Sequence, residues 1–198
     1  MRTLVVDTAL TGRYNYRELP DDPCQPHMLR LGWVETDNDQ ITGSGCWIVK
    51  PRPDWVLEPD AIVAHGIVPD YAEQHGDDLK VVMARFVSLL ENADTVVGFN
   101  FDHQQKVLQR SAAECGLAWQ HLFNSHRPYC AMRNATDIVR KERMAPGGGF
   151  AWPKFGEAYW FFANEELPSL DMDPKERGIA LARAVWAIYQ GILEHSKP

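Results

Sequence analysis

Apolar positions along this chain switch between a period near two and a period near 3.6, and the order of the switches predicts the elements. Leu4-Val5-Val6 running into Asp7 reads as a short, buried-type strand, and Thr11-Gly12 with the Pro- and Asp-rich stretch 18–23 reads as a loop. Residues 27–36 supply Met28, Leu29, Leu31, Trp33 and Val34, and residues 45–50 supply Cys46, Trp47, Ile48 and Val49. Asp37-Asn38-Asp39-Gln40 between them has the chemistry of a turn, so the first three strands form an antiparallel meander. Pro51 and Pro53 end the third strand, and 58–67 carries a short helical pattern that closes at His65-Gly66-Ile67.

Further along, residues 79–91 place Val82, Met83, Phe86, Leu89 and Leu90 at amphipathic helical spacing. Thr95-Val96-Val97-Gly98-Phe99 is the continuous branched run expected of a strand covered on both faces. A helix over 104–115 stops at Gly116, and a shorter apolar segment surrounds Tyr129-Cys130-Ala131-Met132. Ala145-Pro146-Gly147-Gly148-Gly149 predicts a flexible break, after which helices resume over 153–162 and 177–194. Meander first, then alternating strands and helices, describes an α/β protein with a mixed central sheet flanked by helices, of the ribonuclease H-like kind. The 198 residues suit one domain over 1–198.

Composition narrows the function. No stretch is apolar and long enough to span a membrane. The N-terminus enters a strand directly instead of a signal-type segment, which gives the expectation of a cytoplasmic protein. Cys24, Cys46, Cys115 and Cys130 show neither paired nor His-matched spacing, so they read as free thiols without zinc. A net charge of −7 excludes a protein that coats nucleic acid through bulk positive charge. The charge is uneven, however. Between Arg127 and Gly156 six basic residues (Arg127, Arg133, Arg140, Lys141, Arg143, Lys154) face two acidic ones, a local +4 that leaves −11 for the rest. Such a strip is either a solvated surface or a phosphate contact. Trp47, Trp55, Trp119, Trp152 and Trp160, among seven Trp in all, exceed ordinary core needs and raise an exposed aromatic surface as an alternative to core packing.

Six blocks occur in a characteristic order: Val5-Val6-Asp7-Thr8-Ala9-Leu10-Thr11-Gly12, Ile48-Val49-Lys50-Pro51, His65-Gly66-Ile67, Val96-Val97-Gly98-Phe99-Asn100, Cys130-Ala131-Met132-Arg133 and Trp152-Pro153-Lys154-Phe155-Gly156-Glu157-Ala158. Over nearly the whole chain this order resembles the proofreading-type 3′–5′ exonucleases, the DnaQ-like branch of the DEDD superfamily, and most closely the exonuclease-like proteins of bacteria and their phages. The resemblance implies an exonuclease fold and a two-metal hydrolysis site, in which carboxylates hold two divalent ions roughly 4 Å apart to activate water at a phosphodiester.

The chemical positions that the resemblance assigns are changed. The first motif, D-x-E, reads Asp7-Thr8-Ala9, which keeps the aspartate and replaces the glutamate by a methyl group. The aspartate expected four residues after Asn100 is Gln104. The last motif pairs a histidine with an aspartate five residues later; one register places Gly178 and Arg183 there, the other Glu176 and Leu181. Only Asp7 survives, as a metal-ligand remnant or as a cap on a neighbouring turn. Asp102, Asp171 and Asp173 are the candidates for replacement ligands, set against surface and helix-entry roles. His65, Asn100 and Arg133 are the candidate substrate contacts, with preservation of a turn as the equal alternative for His65, and His103 reads as a surface residue. The expectation is a catalytically degenerate protein that needs no cofactor and works by binding, either a protein partner in nucleic-acid metabolism or a single-stranded end. A divergent exonuclease using Mg²⁺ or Mn²⁺ through Asp7 with Asp102 or Asp171 is the alternative.

Overall fold

The computed structural model describes residues 1–142 and 149–196, apart from the side chain of Trp119. Arg143 and residues 145–148 of the expected break therefore lie outside the described residues. Strands β1 (Arg2–Leu10), β2 (Met28–Asp37) and β3 (Gln40–Ile48) form the antiparallel meander. β4 (Thr95–Gly98) and β5 (Arg127–Cys130) add in parallel, giving the sheet order β3-β2-β1-β4-β5. β1 is central, so both its faces are buried, and it reads as an unbroken apolar run until Asp7.

Alternation along β1 separates two cores. Leu4, Val6 and Leu10 face one side with helices α3 (Leu79–Leu90) and α4 (Phe101–Glu114), around Phe86, Val96, Phe101 and Leu108. Val5 faces the other side with α5 (Ala131–Val139), α6 (Phe155–Ala163) and α7 (Pro174–His195), around Val97, Val185 and Ile188. Each fully buried side chain of this kind contributes roughly 1.5–3 kcal/mol. Two short helices, α1 (Pro59–His65) and α2 (Pro69–His75), line the C-terminal end of β1. No described helix is long and apolar enough to cross a membrane.

Several expected boundaries move, each for a local reason. Strand β3 starts at Gln40, not at Gly45, because Asn38 (φ 46°) and Asp39 (φ 66°) alone make the turn. Two left-handed residues give a tight hairpin whose twist suits the flanking strands. The first half of β3 is exposed at the sheet edge, so no apolar pattern marks it. Helix α2 was not expected, since only Ala72 of its seven residues is buried and no period can show. The apolar segment near Tyr129 divides into β5 and α5.

α7 lies unusually close to β2. A Cβ on Gly32 would come within 2.3 Å of the Gly178 carbonyl oxygen, and a Cβ on Gly178 would lie 2.4 Å from Cys46 Sγ and 2.9 Å from Arg30 Cδ. Glycine at both positions lets the helix backbone settle on the strand and leaves a passage for the Arg30 stem.

Candidate functional site

Asp7 and Ala9 share the α7-facing side of β1 with Val5, as residues two apart on a strand must. Across the antiparallel register Ala9 lies opposite Arg30 and Asp7 opposite Gly32. A buried arginine in an apolar strand needs a partner, and Arg30 Nη2 donates to Asp7 Oδ2 at 3.0 Å. The exchange is simple. Where the resemblance places a second carboxylate, on residue 9, the neighbouring strand supplies a guanidinium. Asp7 therefore caps no turn. Burial pushes its carboxyl above the ordinary carboxylate range, against the pull of Arg30 and then of Arg177. Arg30 Nε and Nη1 are sealed from solvent without hydrogen-bond partners, as is the Tyr14 hydroxyl.

The remaining chemical positions do not converge on Asp7. Gln104 is buried on α4, where its Oε1 accepts from Thr8 Oγ1 at 2.7 Å. Thr8 belongs to the opposite face of β1, so this amide is turned away from the aspartate. Of the two registers for the last motif, Leu181 reaches the cleft beside Asp7, with Arg177 one turn before it. Arg183 does not; it is exposed and donates to Ser44 Oγ on β3 at 3.0 Å. Gly178 packs on Cys46 and Arg30, and Glu176 is exposed in the first turn of α7.

The candidate replacement ligands have other partners. Asp102 is paired with Arg133 on the surface. Asp173 caps α7, accepting from Lys175 N at 2.9 Å and Glu176 N at 3.2 Å, and it also accepts from the Tyr71 hydroxyl at 2.6 Å. Asp171 is exposed in the preceding loop. Among the described residues no three metal-ligating side chains come together. One carboxylate already engaged by a guanidinium does not fit a two-cation cage, which requires several hard oxygen ligands.

His65 lines the cleft, but both its ring nitrogens serve the backbone. Nε2 faces the Leu10 carbonyl at 3.1 Å and therefore donates, while Nδ1 accepts from the Ile67 amide at 3.0 Å. Of its two expected roles this is the structural one: the ring fastens α1 to the end of β1 and turns no free nitrogen to the cleft. Burial, and next the Arg30 charge, push its pKa down to about 4. The ordinary value lies near 6.5, so an unfolded chain takes up a proton that the folded one refuses. Stability is thus lost as pH falls from about 6.5 towards 4, by roughly 2 kcal/mol after discounting for solvent reaching the ring through the cleft. Urea unfolding across that window should show this slope, and His65→Gln should remove the part due to the ring; identical slopes would contradict the assignment.

The cleft holds about 480 Å³ and is walled by Asp7, Arg13, Arg30, His65, Arg177 and Leu181 among others. A second depression of about 580 Å³, lined by Asn100, Asp102, Lys106, Arg133 and Trp152, shares the wall residue Tyr16 with it. Tyr16 is 56% exposed and Trp152 57%. The Tyr16 hydroxyl meets His103 Nδ1 at 2.8 Å and its ring carries Lys106 Nζ 5.2 Å from the centroid. His103 is therefore a wall of the cleft, not a plain surface residue. Asn100 precedes α4 without a side-chain cap bond.

Two cations of the basic strip are already paired. Arg133 is paired with Asp102, and Lys141 Nζ lies 2.6 Å from Glu157 Oε1. Arg13, Arg30 and Arg177 line the cleft, and no sequence motif marked them. One signal was present: a charged residue between Leu29 and Leu31 in a buried strand demands an opposite charge nearby. Of the tryptophans, Trp55 and Trp186 are buried, Trp33 and Trp47 pack on each other at 5.4 Å, and Trp152 and Trp160 are exposed.

No protein-family model and no curated protein sequence matches the chain. Solved structures do match. Escherichia coli Exonuclease I superposes in its complex with a dT13 oligonucleotide at a TM-score of 0.73 and 16% identity, over 98% of this chain and 41% of that one. Its metal-free complex with single-stranded DNA gives 0.67 and 13%, over 100% and 40%. The chain spans about two fifths of the length of these proteins, and what it shares with them is the exonuclease fold.

Proposed function

We propose that the chain holds the end of a single-stranded nucleic acid in the groove made by the two depressions and does not hydrolyse it. The observation that carries the reading is the Asp7–Arg30 pair on the cleft floor: the fold is that of an exonuclease, yet its remaining acidic group is neutralised by a guanidinium. The walls suit a strand. Exposed Tyr16 and Trp152 offer stacking faces, and Lys106, Arg13 and, in exchange for its bond to Asp102, Arg133 offer phosphate contacts beside them. Few cations are involved, in keeping with a net charge of −7, so the affinity is modest and local. Exonuclease I is solved with single-stranded oligonucleotides, which supports strand binding as a use of this fold.

Fluorescence anisotropy with a labelled oligonucleotide tests the reading. Binding is expected at low salt, with a log–log salt slope of about −2 for some three phosphates, and without need of divalent ions. Trp152→Ala should weaken it about tenfold, the scale of one lost stacking contact. An absence of binding at low salt, or affinity for a blunt duplex equal to that for the single strand, would overturn it. A basic protein partner bound by the acidic body is the competing outcome, and it would leave the oligonucleotide free.

A further inference from the structure

We propose that the second depression is a nucleobase pocket that prefers adenine, so that a strand is held there by one unstacked base as well as by its phosphates. The inference rests on the strand-binding reading and names the part of the strand that is read. Asp102, Gln105, Lys106 and Gln109 stand three and four residues apart on one face of α4, and all line the depression together with Asn100 just before the helix. Asn100 makes no side-chain cap bond. The carboxamides of Asn100, Gln105 and Gln109 have no hydrogen-bond partner among the described residues. They are partly buried but not sealed, so a ligand entering from solvent meets them. Beside them lie the exposed rings of Tyr16 and Trp152 and the thioether of Met132.

The two depressions therefore differ in chemistry on either side of Tyr16. The first is walled by guanidiniums, the second largely by neutral amides and aromatic rings. A phosphate gains most from cations. A nucleobase is a flat, neutral group with donors and acceptors along its edge, which carboxamides match and exposed rings stack on. The volume of about 580 Å³ lies in the range of small-ligand sites. Which base is preferred follows from which side chains are free. Guanine is read by Arg or Lys through O6 and N7, but Arg133 is held by Asp102 until a phosphate takes its place, and the Lys106 ammonium lies over the Tyr16 ring. Gln105 and Gln109 remain, one turn apart. An amide pairs with adenine through two bonds, accepting from the 6-amino group and donating to N7. Thymine lacks that amino group, and cytosine, which has one, presents a smaller ring for stacking.

Fluorescence anisotropy with thymidine oligonucleotides carrying one variable base at successive positions tests this. At one position adenine is expected to bind about tenfold tighter than thymine, cytosine or guanine, the scale of one good bidentate pair. Replacing that adenine by purine, which lacks the 6-amino group, should remove most of the gain without any change to the protein. The double variant Gln105→Leu/Gln109→Leu keeps side-chain bulk, and Leu and Gln are similar helix formers, so it should fold, which urea unfolding verifies. It is expected to level the affinities of the adenine-containing and all-thymine strands.

Strand binding with equal affinity for every base at every position would overturn the pocket while leaving the strand-binding reading intact. A preference for guanine, or an adenine preference that survives in the double variant, would overturn the role given to the amides. Titration with adenosine alone, followed by quenching of tryptophan fluorescence, separates the two readings from the other side. Quenching that is lost in Trp152→Phe, without any strand binding, would support the pocket and overturn the strand reading.

Discussion

Arg30→Met is expected to lower the unfolding free energy by about 3–5 kcal/mol, the largest loss foreseen for any single substitution in the cleft. The substitution leaves the Asp7 carboxylate buried without the guanidinium that bonds it at 3.0 Å, while Arg177 is anchored to backbone carbonyls. An uncompensated buried charge is far more expensive than a buried ion pair is favourable. The double variant Asp7→Leu/Arg30→Met should therefore recover to within about 1 kcal/mol of the parent, because apolar groups of similar size replace both charges. Urea unfolding of the parent, the single variant and the double variant measures this directly. A double variant as unstable as Arg30→Met alone would show that the loss comes from packing on Cys46 and Gly178, not from charge.

The pH dependence supplies an internal check. In Arg30→Met the Asp7 pKa is raised further, since burial stays and the chief opposing charge is gone. A folded-state pKa above the unfolded one means that the folded protein binds the proton more tightly, so the deficit shrinks as pH falls through that raised value. A deficit that grows on acidification would contradict the assignment.

The second large effect is an absence of metal-dependent hydrolysis. Millimolar Mg²⁺ or Mn²⁺ should leave a labelled single strand undigested. At 4 Å a unit charge pair is worth about 4 kcal/mol at an effective dielectric of 20, and about twice that when one partner is divalent. Ala9, Gln104 and Leu181 each withhold such a contribution, and Arg30 adds repulsion. Restoring one acid should not suffice. Ala9→Glu would place the carboxylate directly opposite Arg30 in the register, where it would join the ion pair instead of an ion cage. Metal-dependent digestion by the parent that disappears in Asp7→Asn would overturn both this expectation and the non-cleaving part of the proposed function.

How much of this was legible in the chain differs by residue. The meander, the covered strand at Thr95, the helix over 79–91 and the long final helix all have apolar spacings that bury one stripe or face, so local pattern and final structure agree. Helix α2 and the outer half of β3 bury little and left no pattern. At the site, the methyl group of Ala9 and the amide of Gln104 are matters of identity and were plain from the order of the motifs. The choice between Leu181 and Arg183 was not, because both lie on one helix and only its rotation against β2, set by the Gly32–Gly178 contact, decides which faces Asp7.

The sequence by itself determined the α/β class and the order of elements, since these depend on residue identity and short-range period. Only the tertiary structure decided which charges surround Asp7. Arg13, Arg30 and Arg177 come from a loop, a strand and a distant helix, and nothing in their spacing links them. They line one cleft because the β1–β2 register sets Arg30 beside Ala9 and the glycine contact draws α7 onto the sheet, and electrostatic potential depends on distance in space, not on separation along the chain.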